Sequence, residues 1–406
     1  MNRRIRLVCH CTCLVLAVLV FASTVFGSWK ISPTADSFTR KNRASDNYGT
    51  LNIIEVKAQS DSAARYGWFQ FTLGSTAAPY AALRLYQMGH TGGNAQHDLR
   101  LRGEQGTFSE TGITWNNQPG GEIYSWATFI AGPYNWSVLY EGWRTMDMTS
   151  FYNNNLGKTV RLRLRCESQI EKVGLTFYSR EHENPALRPY IQVCTVPAAP
   201  SNPGAANVTT SGIRWTWEDN ADDETGFKVY ADPGAGPPTT ERATLEADSI
   251  YWDYTDLTPN SLYAFQVLSY LTCEGNQTDY NSAKTTNYAR YTLPAAPSVG
   301  NNVTCDKFAG AEYPMGTTFT FSNPVGFGPG THGGSQFKVS KFKYVWDKSP
   351  TYTWTGSETD WSSGELELSA DQGDGSYYLH LKSYNEEGEE NPATLDYGPF
   401  NIGIKA

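Results

Sequence analysis

The sequence has little charge and no convincing helical periodicity. Lys, Arg, Asp and Glu make up 18% of its 406 residues, below the roughly 25% that is usual for soluble domains. Aromatic residues reach 14%, and 37 Gly and 21 Pro are spread along the chain. This composition excludes a disordered chain and a coiled coil. Because aromatic residues suit pleated strands while Gly and Pro form turns, it predicts an all-β protein of several modules.

The short motifs of common enzymes are also missing. The sequence has no HExxH, GxSxG, P-loop or Rossmann glycine pattern, and each of those patterns serves its chemistry through fixed spacing. The acidic turns at 222–224 and 371–375 do not fit the twelve-residue calcium loop. We therefore predict that the protein is not an enzyme and needs no cofactor, with calcium as the one cofactor left open.

Long apolar runs do not occur beyond the first 27 residues. Three arginines precede an apolar run at 13–21, and a small-residue exit follows at 25–27. This layout predicts a secretory signal peptide at residues 1–27, and hence a secreted or cell-surface protein without a membrane span after cleavage. The alternative is a transmembrane anchor, but the run is short against the roughly 20 residues that a span needs.

Cysteines are few after the predicted signal peptide, and four are candidates for disulfides: Cys166, Cys194, Cys273 and Cys305. An even number in an oxidising compartment permits pairing, and four cysteines allow three connectivities. Cys166 with Cys194 is favoured because both end strand-like runs of one module. Cys273 with Cys305 would join two modules. None of the four has the CxxC spacing of a metal site.

A repeated Pro-rich string indicates the module boundaries. Pro-Ala-Ala-Pro-Ser occurs at 197–201 and again at 294–298, and closely spaced prolines form semi-rigid spacers. The mature chain is thereby divided into modules at 28–195, 196–293 and 294–406.

The second and third modules have the alternation of β-sandwiches. Residues 213–217 place Ile and two Trp on one face of a strand, and Tyr263 stands six residues after a Leu, as in a tyrosine corner. Residues 196–293 therefore resemble a fibronectin type III domain. Residues 294–406 contain similar runs, such as 342–347, and resemble an immunoglobulin or fibronectin-type sandwich.

Strict alternation in the first module places Leu and Arg on opposite faces of its strands. It is found in the runs 82–86, 99–102 and 160–165, and period two sends successive side chains to opposite sides of a sheet. The Leu face predicts a core. The Arg face predicts a ligand-binding set, to which we add one Trp from a nearby run: Arg84, Tyr86, Arg100, Arg102, Arg161, Arg163, Arg165 and Trp68.

Five motifs of the first module occur together in a characteristic order: Ala35-Asp36-Ser37-Phe38, Asn47-Tyr48-Gly49, Thr114-Trp115-Asn116-Asn117, Met146-Asp147-Met148 and Ser179-Arg180-Glu181. In this order and spacing they resemble the DNRLRE-type domain, which overlaps the family 96 carbohydrate-binding modules. The resemblance implies a jelly-roll β-sandwich on secreted and cell-surface proteins, some of which bind acidic polysaccharides such as alginate. One departure is Thr72, where family members usually have an Asp that is a possible calcium ligand.

The charge balance differs between the two halves. Residues 28–194 contain 17 Lys and Arg against 14 Asp and Glu, a net +3, whereas residues 195–406 have a net −15. Rows of guanidinium groups suit the carboxylates of a uronic-acid polymer. We therefore predict non-catalytic binding of an acidic polysaccharide or cell-surface glycan, with the later modules as spacers. The alternative interpretation of the Arg face is a solvent-exposed sheet surface with structural Arg–Glu pairs.

An acidic exported chain is not expected to bind nucleic acid. The alternative function is a structural or adhesive cell-surface component, whose partners are surface proteins or further copies of itself.

Overall fold

The computed structural model describes residues 27–58, 60–91, 98–120, 128–134, 141–167 and 174–403. The predicted signal peptide at 1–27 lies outside the described residues, apart from Gly27. In the described part strands are the main regular structure, with one short α-helix, α1 (Thr149–Asn154). The predicted all-β fold is confirmed. None of the helices in these ranges has the length and hydropathy needed to cross a membrane.

In its described residues the first module contains eleven strands and two single-turn 3-10 helices (Lys41–Arg43 and Pro185–Leu187). The strands are β1 (Ser28–Ile31), β2 (Ala35–Arg40), β3 (Ile53–Lys57), β4 (Arg65–Thr72), β5 (Tyr80–Thr91), β6 (Leu99–Gln105), β7 (Thr128–Tyr134), β8 (Gly142–Asp147), β9 (Thr159–Cys166), β10 (Gly174–Tyr178) and β11 (Tyr190–Cys194).

Hydrogen bonds join these strands into one rolled sheet of the order β1-β11-β5-β10-β3-β4-β9-β6-β7, with β2 added to β4 and β8 to β5. The sheet folds over on itself, because Leu83 and Val193 from one end share a buried core with Leu101 and Leu162 from the other. The predicted Leu faces therefore form the core. Their alternate residues point outward from two different parts of the sheet.

The second module packs a three-stranded sheet on a five-stranded one. Its strands are β12 (Ser201–Ala206), β13 (Ile213–Glu218), β14 (Gly226–Pro233), β15 (Glu241–Glu246), β16 (Tyr251–Tyr254), β17 (Leu262–Thr272), β18 (Asp279–Asn281) and β19 (Tyr288–Tyr291). Trp215, Trp217 and Tyr263 lie in its core. The Tyr263 hydroxyl accepts a hydrogen bond from the Thr258 amide at 3.1 Å, as expected for a tyrosine corner.

The third module has the same two-sheet plan. Its strands are β20 (Thr304–Cys305), β21 (Glu312–Tyr313), β22 (Thr318–Ser322), β23 (Lys341–Asp347), β24 (Thr359–Trp361), β25 (Leu366–Ser369), β26 (Gly375–Tyr384) and β27 (Glu390–Ile402). Phe342, Tyr377 and Phe400 are fully buried between the sheets. The predicted divisions after residues 195 and 293 fall between the three groups of strands.

The second and third modules meet at Asn260, which is fully buried. Its Nδ2 donates to the Gly328 carbonyl at 2.9 Å, and its Oδ1 accepts from the Glu386 amide at 2.9 Å. Its own carbonyl accepts from the Gly330 amide at 2.6 Å. One side chain and its backbone thus bond to two separate segments of the next module, and this satisfies polar groups that would be costly to bury unpaired.

Candidate functional site

Five of the predicted arginines share one outer face of the rolled sheet, and we call this set the arginine face: Arg100, Arg102, Arg161, Arg163 and Arg165. They lie on β6 and β9, whose register pairs Arg100 with Arg165 and Arg102 with Arg163. Arg161 pairs with Glu104 one step further along. The face exists because both strands alternate Leu and Arg and are antiparallel neighbours in register.

Half of the arginine face is covered rather than exposed. Trp68 and Arg163 are fully buried, and the Arg163 guanidinium lies 4.9 Å from the Tyr66 ring centre and 5.5 Å from that of Trp68. Arg165 lies 5.1 Å above the same Tyr66 ring. Such cation–π stacking offsets part of the cost of taking a guanidinium out of water. Trp68 and Arg163, both members of the predicted ligand-binding set, therefore lie beneath a cover and not at the surface.

The covering element is the loop at 106–119, which carries the Thr-Trp-Asn-Asn motif. Phe108 and Ile113 pack against Trp68, and the Trp115 ring lies 4.7 Å from the Tyr66 ring. Asn117 fixes the loop on itself, because its Oδ1 accepts from the Thr114 amide at 2.7 Å and its Nδ2 donates to the Gly112 carbonyl. The motif thus builds the cover over the inner half of the arginine face.

The other half of the face, which we call its open half, is half-buried rather than covered at Arg100, Arg102 and Arg161. Arg100 lies 3.1 Å from both Asp98 and Glu167, and its pKa is raised by the hydrogen bond to Asp98. The Arg161 Nε donates to Glu104 at 2.6 Å. Its Nη1 donates to the Thr107 carbonyl at 2.9 Å. These bonds orient the guanidinium groups and leave them partly exposed.

An exposed aromatic ring lies beside the open arginines. The Phe129 side chain on β7 is 46% exposed, and the Arg102 guanidinium is 5.7 Å from its ring centre. A flat apolar surface next to a row of cations is the combination that packs a pyranose ring and pairs with its acidic groups.

Arg84 and Tyr86 lie on a different part of the sheet, so the predicted ligand-binding set is not one surface. Both are on β5, whose partners are β8, β10 and β11. Arg84 is buried; its Nη1 donates to the Thr145 hydroxyl at 2.8 Å, and its guanidinium lies 5.5 Å from the Trp143 ring. The alternation placed each residue outward correctly, but strand order separates β5 from β9.

Tyr86 belongs to a group of rings that sequence reasoning missed, and we call it the aromatic row: Trp143, Tyr86, Tyr178 and His182. Successive ring centres are 5.5, 5.6 and 3.7 Å apart. The first three rings are half-buried, while His182 is buried. Trp143 pairs with Tyr86 across β8 and β5. The alternation of residues 142–147 was the sequence signal for the strand that carries Trp143.

The disulfide joins Cys194 to Cys273, with Cα atoms 6.1 Å apart, and the predicted pairs Cys166–Cys194 and Cys273–Cys305 are both wrong. Cys166 points into the core of the first module. Ile191 and Val193 of β11 also point into that core, so Cys194, the next residue, faces the opposite side. Cys305 is on the third module, where burial raises the pKa of its thiol to about 11.

Around the disulfide the second module lies against the first. Tyr80, Ala82 and Leu271 join the two sulfurs in one buried apolar cluster. Glu274, next to the disulfide, lies 3.3 Å from Lys30 and 3.7 Å from Arg84. The second module thereby covers the end of the outer face that carries Arg84.

Residues 28–195 match carbohydrate-binding module family 96, and a search of curated proteins found no match. Among solved structures, a two-domain fibronectin type III segment of chicken tenascin is 10% identical, with 50% of this chain and 99% of that chain covered and a TM-score of 0.30. A fibronectin type III domain of human collagen XX is 21% identical, with 24% and 93% covered and a TM-score of 0.19. The family match confirms the predicted resemblance: residues 28–195 are similar to the family 96 carbohydrate-binding modules.

Proposed function

We propose that this is a secreted or cell-surface, non-catalytic carbohydrate-binding protein whose first module binds an acidic polysaccharide. The observation that carries the proposal is the open half of the arginine face, where Arg100, Arg102 and Arg161 stand on adjacent strands beside Phe129. The match of residues 28–195 to a carbohydrate-binding family supports the ligand class. The later two modules act as spacers.

The geometry suits a chain of carboxylates. Neighbouring strands are about 4.8 Å apart and alternate residues of one strand about 6.8 Å, so the open guanidinium groups form a short two-dimensional array. A guanidinium binds a carboxylate through two parallel hydrogen bonds. Asp98 accepts from both the Nε and the Nη2 of Arg100. This pair orients the guanidinium before the ligand arrives, which lowers the entropy lost on binding, and a ligand carboxylate that used the same edge would replace Asp98.

The buried arginines of the covered half add positive charge next to the open half of the face. Arg163 and Arg165 are buried but lie on the strand next to Arg100 and Arg102. Charges act over longer distances where solvent screening is weak. The five arginines outnumber their acidic neighbours Asp98, Glu104 and Glu167 by two charges.

Secretion is part of the proposal and is supported by two features. The predicted signal peptide at 1–27 is one. The other is the buried Cys194–Cys273 disulfide, because disulfides persist in oxidising compartments.

The test is affinity electrophoresis of the purified chain in gels containing alginate, polygalacturonate or a sulfated glycan, with a neutral glucan as reference. We expect retardation by at least one acidic polymer, weakened by added salt, and lost in the Arg100→Ala/Arg102→Ala variant. Arg214→Ala is the matched control: the Arg100 and Arg214 side chains are each 34% exposed and each pair with an Asp. Retardation of the double variant equal to that of the control would refute the assignment of the site.

A second candidate function is self-association at a cell surface. The Phe308 side chain is 82% exposed in the third module, and Met315 is also exposed. Large apolar side chains left open on a folded module favour contacts between proteins. This candidate predicts association of the purified chain without added glycan, which light scattering measures.

A further inference from the structure

Three carboxylates from distant parts of the first module converge at one point. Asp36 stands in β2, Glu110 in the loop that covers the arginine face, and Glu181 in the Ser-Arg-Glu motif after β10. One oxygen from each lies within 4.8 Å of the other two. Two oxygens that each lie about 2.4 Å from one ion are at most about 4.8 Å apart, so this spacing matches a shared calcium ion.

Asp36 is the unusual member of this group. It is 1% exposed, and its Oδ2 accepts a hydrogen bond from the Arg180 amide at 2.8 Å. Its Oδ1 is buried and has no hydrogen-bond partner. A buried carboxylate oxygen without a partner costs free energy unless a cation or a proton meets it.

The charges of the group do not balance. Arg180 supplies one positive charge, with its Nη1 at 3.0 Å from both oxygens of Glu110 and its Nε at 3.6 Å from Glu181. The Arg180 side chain is 36% exposed, so it closes the group on the solvent side. If all three carboxyl groups are ionised, one guanidinium leaves two negative charges around the unpartnered oxygen of Asp36, which is the charge that a divalent cation neutralises. Burial, together with the nearby Glu181 and Glu110, raises the pKa of Asp36 well above its ordinary value when no cation is bound.

We propose that Asp36, Glu110 and Glu181 form a calcium site of the first module. Calcium takes six to eight oxygen ligands and accepts carboxylates with one or both oxygens, so three carboxylates supply much of its shell. The second module has an acidic group of its own, Asp219, Glu224 and Asp248, which differs because Asp248 is exposed.

The site would act on the arginine face through the loop at 106–119. Glu110 belongs to this loop, and the Asp36 amide donates to its Oε1 at 2.9 Å. Asn47 holds the same stretch of chain, since its Nδ2 donates to the carbonyls of Glu110 and Ile113. An ion shared by Glu110, Asp36 and Glu181 would anchor the cover over Trp68 and Arg163.

The experiment uses the full chain after treatment with EDTA and exhaustive dialysis. We expect calorimetric titration with CaCl2 at pH 7 to show one strong site, and the melting temperature to rise by about 5–10 °C at 100 times the dissociation constant. Asp36→Asn and Glu181→Gln should each abolish the calcium-dependent rise. Asp248→Asn, in the acidic group of the second module, is the matched control and should retain it.

Hydrogen exchange distinguishes calcium binding from a purely structural role of Asp36, because only calcium binding makes the exchange rate near Glu110 depend on calcium. Calcium should slow exchange in residues 107–113 of the wild-type chain and leave the third module unchanged. The proposal is overturned if millimolar calcium produces neither heat nor a melting shift in the EDTA-treated wild type. It is also overturned if the shift survives in both Asp36→Asn and Glu181→Gln, or disappears only in Asp248→Asn.

Discussion

Removing the Cys194–Cys273 disulfide should lower the free energy of unfolding of the first two modules by several kcal/mol. The perturbation is the Cys194→Ala/Cys273→Ala variant, which deletes both sulfurs from the buried apolar cluster between the modules. Because the bond joins Cys194 and Cys273 across 79 residues of sequence, its loss frees a long loop in the unfolded chain.

The magnitude follows from loop closure. For a loop of about this length the entropy relation gives about 4.5 kcal/mol at 25 °C for unfolding that releases both modules. The ion pair of Glu274 with Lys30 is exposed on both sides, and such pairs contribute only about 0–1 kcal/mol. The disulfide therefore contributes more to the unfolding free energy than this ion pair between the modules does.

The assay is urea denaturation combined with hydrogen exchange of residues 190–194 and 271–280. We expect a loss of several kcal/mol in the unfolding free energy and faster exchange in both segments. Cys305→Ala is the control, since it removes a half-buried thiol that forms no disulfide. A change below about 1 kcal/mol, with unaltered exchange in both segments, would show that loop closure does not hold the modules together.

Two further predictions concern the third module. Burial alone would raise the pKa of Glu358, but hydrogen bonds from the Thr355 amide and hydroxyl outweigh it and lower the pKa to about 2. The free energy of unfolding should therefore fall by at most about 3 kcal/mol as the pH drops from about 4.3 to 2. Urea melts of the Glu358→Gln variant across this range should show a weaker dependence of the unfolding free energy on pH. A dependence equal to that of the wild type would contradict the assignment to Glu358. If the chain self-associates, Phe308→Ser should weaken association in light scattering while Phe129→Ser leaves it intact.

Local alternation was sufficient to predict the strands and the side on which each arginine lies. The runs at 99–102 and 160–165 form β6 and β9 with Leu inward and Arg outward, because period two is a property of each strand alone. The aromatic pattern at 213–217 and the spacing up to Tyr263 likewise placed the core of the second module.

Strand order and loop cover could not be predicted in the same way. Arg84 and Arg163 have the same pattern around them, yet one faces the second module and the other lies beneath the loop at 106–119. Both outcomes depend on contacts between residues far apart in sequence. The cysteine pairing failed for a related reason, since it required knowing which face of β11 meets the second module.

The buried Asn260 helps to fix the second and third modules to each other. Its hydrogen bonds to Gly328, Gly330 and Glu386 tie the second module to two segments of the third, and the disulfide ties the second module to the first. Because both joints are held by specific bonds, we expect the three modules to keep a more constant arrangement than modules joined only by flexible linkers. If the first module binds a polysaccharide as proposed, several copies side by side would present evenly spaced sites to it, and the repeated contacts would raise the overall affinity.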